Sequence, residues 1–307
     1  MNRARLSGED PVEHSLKKRY VFKLGSNLLM MLSGFGSQAI ISRSLGPSLF
    51  GDFSFLTNSF SQLTNLFELG SSNAFYTKLS QRKREPGLLS FYWSFSLLVA
   101  LGIFGLVGVT YLTRLQSVLW PAQNNRMILW SALGGVMLWF AQILNKTTDA
   151  LGITVKAEMA RIIQRFGSLI LLLGLVLLMP QFNLNTAFFY QAVYSLTLCL
   201  SLAWVSHKAG YPVFGRLKLQ STELKGYSSE FFQYCHPLVM FSIVSISLDL
   251  ADRWLLQSFA GSIQNGFFGI STQVGAACFL FTSSMAPLIL TQLAPLAVTK
   301  RERNRFG

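Results

Sequence analysis

Asp249, Asp252 and Arg253 lie inside the otherwise apolar stretch 237–258. In hydrocarbon each ionised side chain costs roughly 2.5–3.5 kcal/mol on insertion scales, so such residues pair, line a wet passage or meet a charged ligand. Asp249 and Arg253 are four residues apart and share one helix face, where they can pair. Two readings stay open: the pair neutralises itself while Asp252 reaches the outer interface, or the cluster lines a polar cavity. Glu68, in the stretch 53–76, has no basic residue within a helical turn. A lone buried acid must neutralise or find a partner on another helix, either as a packing hydrogen bond near Asn65 or Asn73 or as a cation-coupling group.

Residue types that make and break bonds are missing from the right places. No GxxxxGK[ST] loop cradles a phosphate. His14, His207 and His236 are scattered, and no HExxH or Cys/His cluster is spaced for zinc. Cys199, Cys235 and Cys278 show no CxxC spacing and read as small apolar packing residues. No cofactor is implied. The chemistry that remains is binding and moving.

The elements that position these residues read as membrane helices. About 20 apolar residues cross roughly 30 Å of hydrocarbon, and eight such stretches lie near 24–42, 53–76, 88–112, 127–145, 161–180, 187–206, 237–258 and 267–292. A chain that is 51% hydrophobic and 13% charged cannot cover a soluble surface without large apolar patches. Every second gap is basic: six Lys or Arg precede the first stretch, then four each lie in 78–84, 146–165, 208–225 and 300–305. The alternate gaps hold only Arg43, Arg114 and Arg126. This is the positive-inside pattern, and an even number of crossings puts both termini in the cytoplasm. The net charge of +13 is thereby topology and attraction to anionic headgroups, with no need for nucleic acid. The polar first 23 residues and the full-length first apolar run do not read as a cleavable signal.

The outer turns, 43–52, 181–186 and 259–266, are too short for a catalytic domain, and 113–126 is the longest. The first two stretches are rich in polar residues, Ser26, Asn27, Ser33, Ser37 and Gln38 in one and nine from Ser54 to Glu68 in the other. At that density they face protein or a wet cavity. In contrast, 166–180 is nearly pure aliphatic and faces lipid. Gly102, Gly105 and Gly108, and the pair Gly134 and Gly135, suit close helix approach or a hinge. Arg43 and Asp52 flank the first outer turn as an interfacial anchor or a gate. Arg161 and Arg165 can snorkel to headgroups or greet an incoming diphosphate. Residues 216–235 read as an amphipathic surface helix, and Pro287 as a kink.

A weak internal repeat appears at an offset of 215 residues. SLGPSLFGDFSFLT (44–57) faces FAGSIQNGFFGIST (259–272), matching Gly46 with Gly261, Gly51 with Gly266, Phe53 with Phe268 and Thr57 with Thr272. The two span–turn–span units have the same orientation, which predicts parallel lobes with a cavity between them.

These residues resemble a known family. Leu45-Gly46-Pro47, Gly51 and Glu68-Leu69-Gly70 are similar to the first-to-second-helix region of O-antigen-type polysaccharide-unit flippases of the multidrug/oligosaccharidyl-lipid/polysaccharide exporter (MOP) superfamily. Pro237-Leu238 and Asp252-Arg253 resemble that family's seventh helix. The resemblance implies an all-α polytopic protein of the bacterial cytoplasmic membrane that moves an undecaprenyl-diphosphate-linked oligosaccharide between leaflets without ATP. It also implies partners: membrane lipids, the lipid-linked oligosaccharide, and a glycan polymerase or a second copy of the chain. Arg253 would meet the pyrophosphate, and Asp249 and Asp252 sugar hydroxyls or protons. The implied organisation is a tail at 1–23, a six-helix lobe at 24–206, a linker at 207–236, two helices of a second lobe at 237–292 and a basic tail at 293–307. The family usually has 12 to 14 spans, so the chain is expected to be a fragment or a short form that pairs with something. The rivals are a drug or metabolite antiporter of the same superfamily, a membrane glycan polymerase or acyltransferase, and a non-transporting remnant.

Overall fold

A computed structural model describes residues 16–82, 85–179, 181–211 and 221–276. His14, Arg216, Lys218, Cys278, Pro287, the basic tail and the later part of 267–292 lie outside these residues. Every described element is a helix.

Helix α1 (Leu16–Glu68) holds 48 residues, from Val21 onward, apolar enough for membrane burial. At 1.5 Å per residue that is about 72 Å, more than twice a bilayer core. The chain resolves the excess by doubling back. Gly46 leaves the helix at φ 75°, ψ 170°, a region essentially restricted to glycine, and Pro47 restarts the helix at a position where its missing N–H is harmless. The contacts prove the hairpin: Lys23 pairs with Asp149 near the C-terminus of α5 (Asn125–Leu151), where Lys146 also reaches Asn73 just past the other end of α1, and Glu68 accepts from Trp139 in the middle of α5. Asp52, near the middle of α1, accepts from Gln123, just before α5 begins. The bundle therefore has a basic end, with Lys23 and Lys146, and a turn end, with Asp52 and Gln123.

The expected stretch 53–76 is not one helix. Leu69 (φ 47°) and Gly70 (φ 76°) both turn left-handed, ending α1 and starting the short α2 (Ser71–Gln81). Helix α3 (Pro86–Leu112) begins with Pro in its first turn, and a single turn, α4 (Gln116–Leu119), leads to α5. Asn124 caps α5 by accepting from the Arg126 amide, and Asn183 caps α7 (Leu184–Lys208) by accepting from the Thr186 amide. Between them runs α6 (Thr154–Leu178). Its aliphatic face is exposed as expected, with Ile170, Leu177 and Leu178 at 70%, 80% and 85%.

The linker and seventh stretch also run together. Helix α8 (Ser221–Leu255) starts within the expected 216–235 segment and bends by 64° around Pro237, which removes a backbone donor inside the helix. Tyr227, Phe231 and Cys235 recur every fourth residue and are all buried, with Phe91 contacting both Tyr227 and Phe231. This is the amphipathic face, spent on the first bundle. A single π turn (Leu256–Ala260) and α9 (Gly261–Ala276) follow.

Close helix approach uses some of the expected glycines. A Cβ on Gly135 would stand 3.0 Å from Phe60 Cβ and one on Gly134 3.4 Å from Gln191, so α1 and α7 both seat on α5 there. Gly105 and Gly108 have nothing within 4 Å and serve no such contact. Many polar groups of α1 turn out to be satisfied within their own helix: Ser37 donates to Ser33 O and Thr64 to Phe60 O, one turn back.

Candidate functional site

The turn end is where the internal repeat becomes geometry. Gly261 adopts φ 81°, ψ 175°, nearly the conformation of Gly46, so two hairpins turn by the same device. They then pack crosswise. A Cβ on Gly51 would fall 1.7 Å from the Ser262 carbonyl oxygen, and one on Gly266 3.0 Å from the Pro47 carbonyl oxygen. Under the 215-residue offset, Ser262 is the counterpart of Pro47 and Gly266 that of Gly51, so one contact is made twice in opposite directions. Ser54 touches its own counterpart, since a Cβ on Gly269 would lie 2.3 Å from Ser54 Oγ. Reciprocal contacts of this kind define a two-fold relation between the hairpins. Only glycine lets the two backbones meet.

Asp52 ties this seam. Its Oδ1 accepts from Ser262 Oγ (2.6 Å), Gln123 Nε2 (2.7 Å) and Gln257 Nε2 (3.2 Å). Gln257, buried, in turn accepts from Asn265 Nδ2 at 3.0 Å. One carboxylate thus collects donors from the α4–α5 connection, the π turn and α9. Arg43, on the other side of the first turn, is exposed and joins none of this.

Arg253 projects into the same seam deeper in the bundle. It is 8% exposed, donates to Ser54 Oγ (2.9 Å) and Thr272 Oγ1 (3.1 Å), and stacks over the Phe268 ring at 5.1 Å. The expected ion pair with Asp249 is not formed: Asp249 accepts instead from Gln62 Nε2 at 3.2 Å, and Asp252 is exposed. The i, i+4 spacing puts the two residues on one side of the helix, but the guanidinium reaches across to α1 and α9 while the short aspartate stays with Gln62. Among the described residues no carboxylate lies within 4 Å of Arg253. A buried cation held by two hydroxyls and a ring has lost its water without gaining a directly bonded counter-charge.

Arg165 of α6 turns inward as well. Its Nε donates to Ser33 Oγ at 3.2 Å, its guanidinium covers the Tyr194 ring at 5.1 Å, and it borders Gly34. Gly34 also faces Gln273 of α9, the neighbour of Thr272, so Arg165 approaches the seam from the first bundle. No acid pairs with it among the described residues. Gln38, one turn beyond Gly34, has a buried Oε1 with no hydrogen-bond partner among the described residues. Arg161 bonds Glu158 at 2.7 Å.

Glu68 finds its partner on another helix: Trp139 Nε1 donates to Oε2 at 2.5 Å, and Ser72 Oγ to Oε1 at 2.8 Å. Lys146 stands beside it, donating to Asn73 Oδ1 at 3.0 Å. The sequence reasoning missed a second buried cluster. Lys23 pairs with Asp149 and lies 3.8 Å from Glu158, while Glu158, fully buried, also accepts from Ser26 and Arg161. The signal was present as two acids in an otherwise basic gap, Asp149 on the last turn of α5 and Glu158 just past the first turn of α6, in helices that extend past their apolar stretches.

No protein-family model and no curated protein matches the chain. Solved structures do. The MATE multidrug transporter DinF-BH, solved with a bound compound, superposes with a TM-score of 0.57 at 13% identity over 96% of this chain. A MOP superfamily transporter from Pyrococcus furiosus, described as having a binding pocket of reverse polarity, gives 0.54 at 16% over 92%. A further solved chain gives 0.59 at 15% over 94%. This chain spans 66%, 68% and 69% of the lengths of the further chain, DinF-BH and the Pyrococcus transporter. The all-helical fold is like that of these solved transporters.

Proposed function

We propose that the protein is a membrane flippase that moves an undecaprenyl-diphosphate-linked oligosaccharide across the bacterial cytoplasmic membrane for surface polysaccharide synthesis. The observation that carries the reading is Arg253, buried in the seam between the two hairpins with two hydroxyls and, among the described residues, no acid within 4 Å. An anionic headgroup displacing those hydroxyls would complete its pairing, since a guanidinium fork can bind phosphate through two donors, and Arg165 offers a second cation, held by a hydroxyl and a ring, on the facing bundle. The seventh-helix resemblance and the fold of the neighbours support transport; the diphosphate is the part this chain's own charges favour. In this reading the basic end is cytoplasmic, the eight stretches are eight crossings, residues 24–206 form one lobe, and the Asp52 seam closes the outer side while substrate is loaded. Movement is then the rocking of the hairpins about their two-fold relation.

A drug or metabolite exporter of the same superfamily is the second reading, favoured by the fold shared with DinF-BH, a multidrug transporter. The two separate on charge. In a strain lacking the endogenous gene, Arg253→Ala at equal expression should abolish surface glycan, and unchanged glycan would remove the proposed role.

A further inference from the structure

Helices α1 and α8 each carry two stripes where they face one another. On α1, Ser54 and Gln62 meet Arg253 and Asp249 of α8. On the flank beside that polar seam, Phe55, Ser59 and Leu63 of α1 and Ala251 and Trp254 of α8 line a mostly apolar, partly open cavity of ≈ 460 Å³, with Trp120 at its side. That volume lies within the ~300–1,000 Å³ of small-molecule sites. The far wall is built firmly: Trp254 Nε1 donates to Val118 O at 2.7 Å, and Trp120 stacks on Phe60 at 5.4 Å. Ser54 and Phe55 are consecutive residues, so the polar contact and the apolar cavity adjoin.

We infer that this cavity receives the diphosphate-proximal isoprene units of the lipid-linked substrate's polyprenyl chain while its diphosphate meets Arg253. The inference rests on the flippase reading above. Its own ground is the matched polarity: a cation and hydroxyls on one side of a two-helix slit and hydrocarbon on the other fit a ligand that is anionic at one end and apolar at the other. A soluble anion would leave the apolar half unused, and an uncharged lipid would leave Arg253 without a counter-charge.

The test uses the purified full chain in nanodiscs with a photoactivatable long-chain polyprenyl phosphate, reading which peptides become labelled. Labelling should fall on α1 near Phe55 and α8 near Trp254, and Ala251→Phe, which fills the cavity, should cut it about tenfold. Leu63→Ser, which makes the wall polar without adding bulk, should do the same if the filled variant fails to fold. Unchanged labelling in both variants, or displacement by phosphatidylglycerol as effective as by unlabelled polyprenyl phosphate, overturns the assignment. A sugar diphosphate with a short alkyl tail reads the Arg253 contact alone: Arg253→Ala should weaken its binding and Ala251→Phe should not. If that dependence holds while chain labelling fails, the cavity assignment falls and the flippase reading stands. If the short-tailed probe ignores Arg253, both fall.

Discussion

Two of the buried clusters of charge among the described residues are built on opposite rules. At the basic end Lys23, Asp149, Glu158 and Arg161 form a closed set of two cations and two anions, with Ser26 completing the coordination of Glu158. In the seam Arg253 and Arg165 are held by hydroxyls and aromatic faces. A buried charge whose opposite is supplied by the fold serves the fold. In the proposed reading, one with no directly bonded opposite keeps its field for something that arrives. The contrast separates architecture from function more sharply than burial alone, since Glu158 and Arg253 are both buried.

The largest expected effect tests the closed set. Glu158→Ala leaves Lys23 and Arg161 beside a single acid, and stripping one partner from a buried ionic set costs about 3–5 kcal/mol. Chemical unfolding in detergent should show that loss, with little folded protein recovered. Loss below about 1 kcal/mol would mean that water reaches the cluster. Next comes the crossed contact: Gly51→Val places a side chain where the Ser262 carbonyl stands, so the hairpins must part. A cysteine at Gln123, in a background without native cysteines, should then be labelled faster by an impermeant thiol reagent from outside. Unaltered labelling would show that this end opens without the glycine contact.

The comparison is sharpened by removing the uncompensated charge. Arg253→Gln takes away a poorly compensated buried cation while keeping a donor for Ser54, so folded stability should stay within about 1 kcal/mol of the native value. Surface glycan should nevertheless be lost. Destabilisation on the scale of Glu158→Ala would move Arg253 into the architectural class.

Much of this was legible in the sequence because hydrophobic length and basic gaps are local signals. Apart from the Leu69–Gly70 break and the end of α6, the apolar stretches fall on helices where the structure describes them, and the match of Gly46 with Gly261 anticipated two turns of the same conformation. Less local facts escaped. The break at Leu69–Gly70 is invisible to hydropathy, which does not register left-handed backbone. The Asp52 hub depends on Gln257 and Ser262, more than 200 residues away, and no pattern along the chain brings them together. Asp249 and Arg253 have the spacing of an ion pair, yet Ser54 and Thr272 offer the longer arginine side chain better-placed acceptors. Lys23 was counted as one of six basic residues before the first stretch, whereas α1 begins earlier than its apolar run and buries it.

The smallest effect concerns the docking of α8, where charge is paired but only partly buried. Glu230 accepts from Lys78 at 2.6 Å and from Arg82 at 2.8 Å. Burial alone would raise its pKa, but the hydrogen bonds and charges of Lys78 and Arg82 outweigh that and hold it below the ordinary glutamate range. A lowered folded pKa gives stability that is fully present above the unfolded value, about 4.3, and is lost as pH falls through the folded one. Thermal melts should therefore place Glu230→Gln below the native protein at neutral pH, by under about 1 kcal/mol as befits partly exposed pairs, with the gap closing on acidification below pH ~4. A gap that persists at the acid end would assign the difference to packing of Tyr227 and Phe231 on Phe91, and the docked helix would then owe its place to the aromatic face alone.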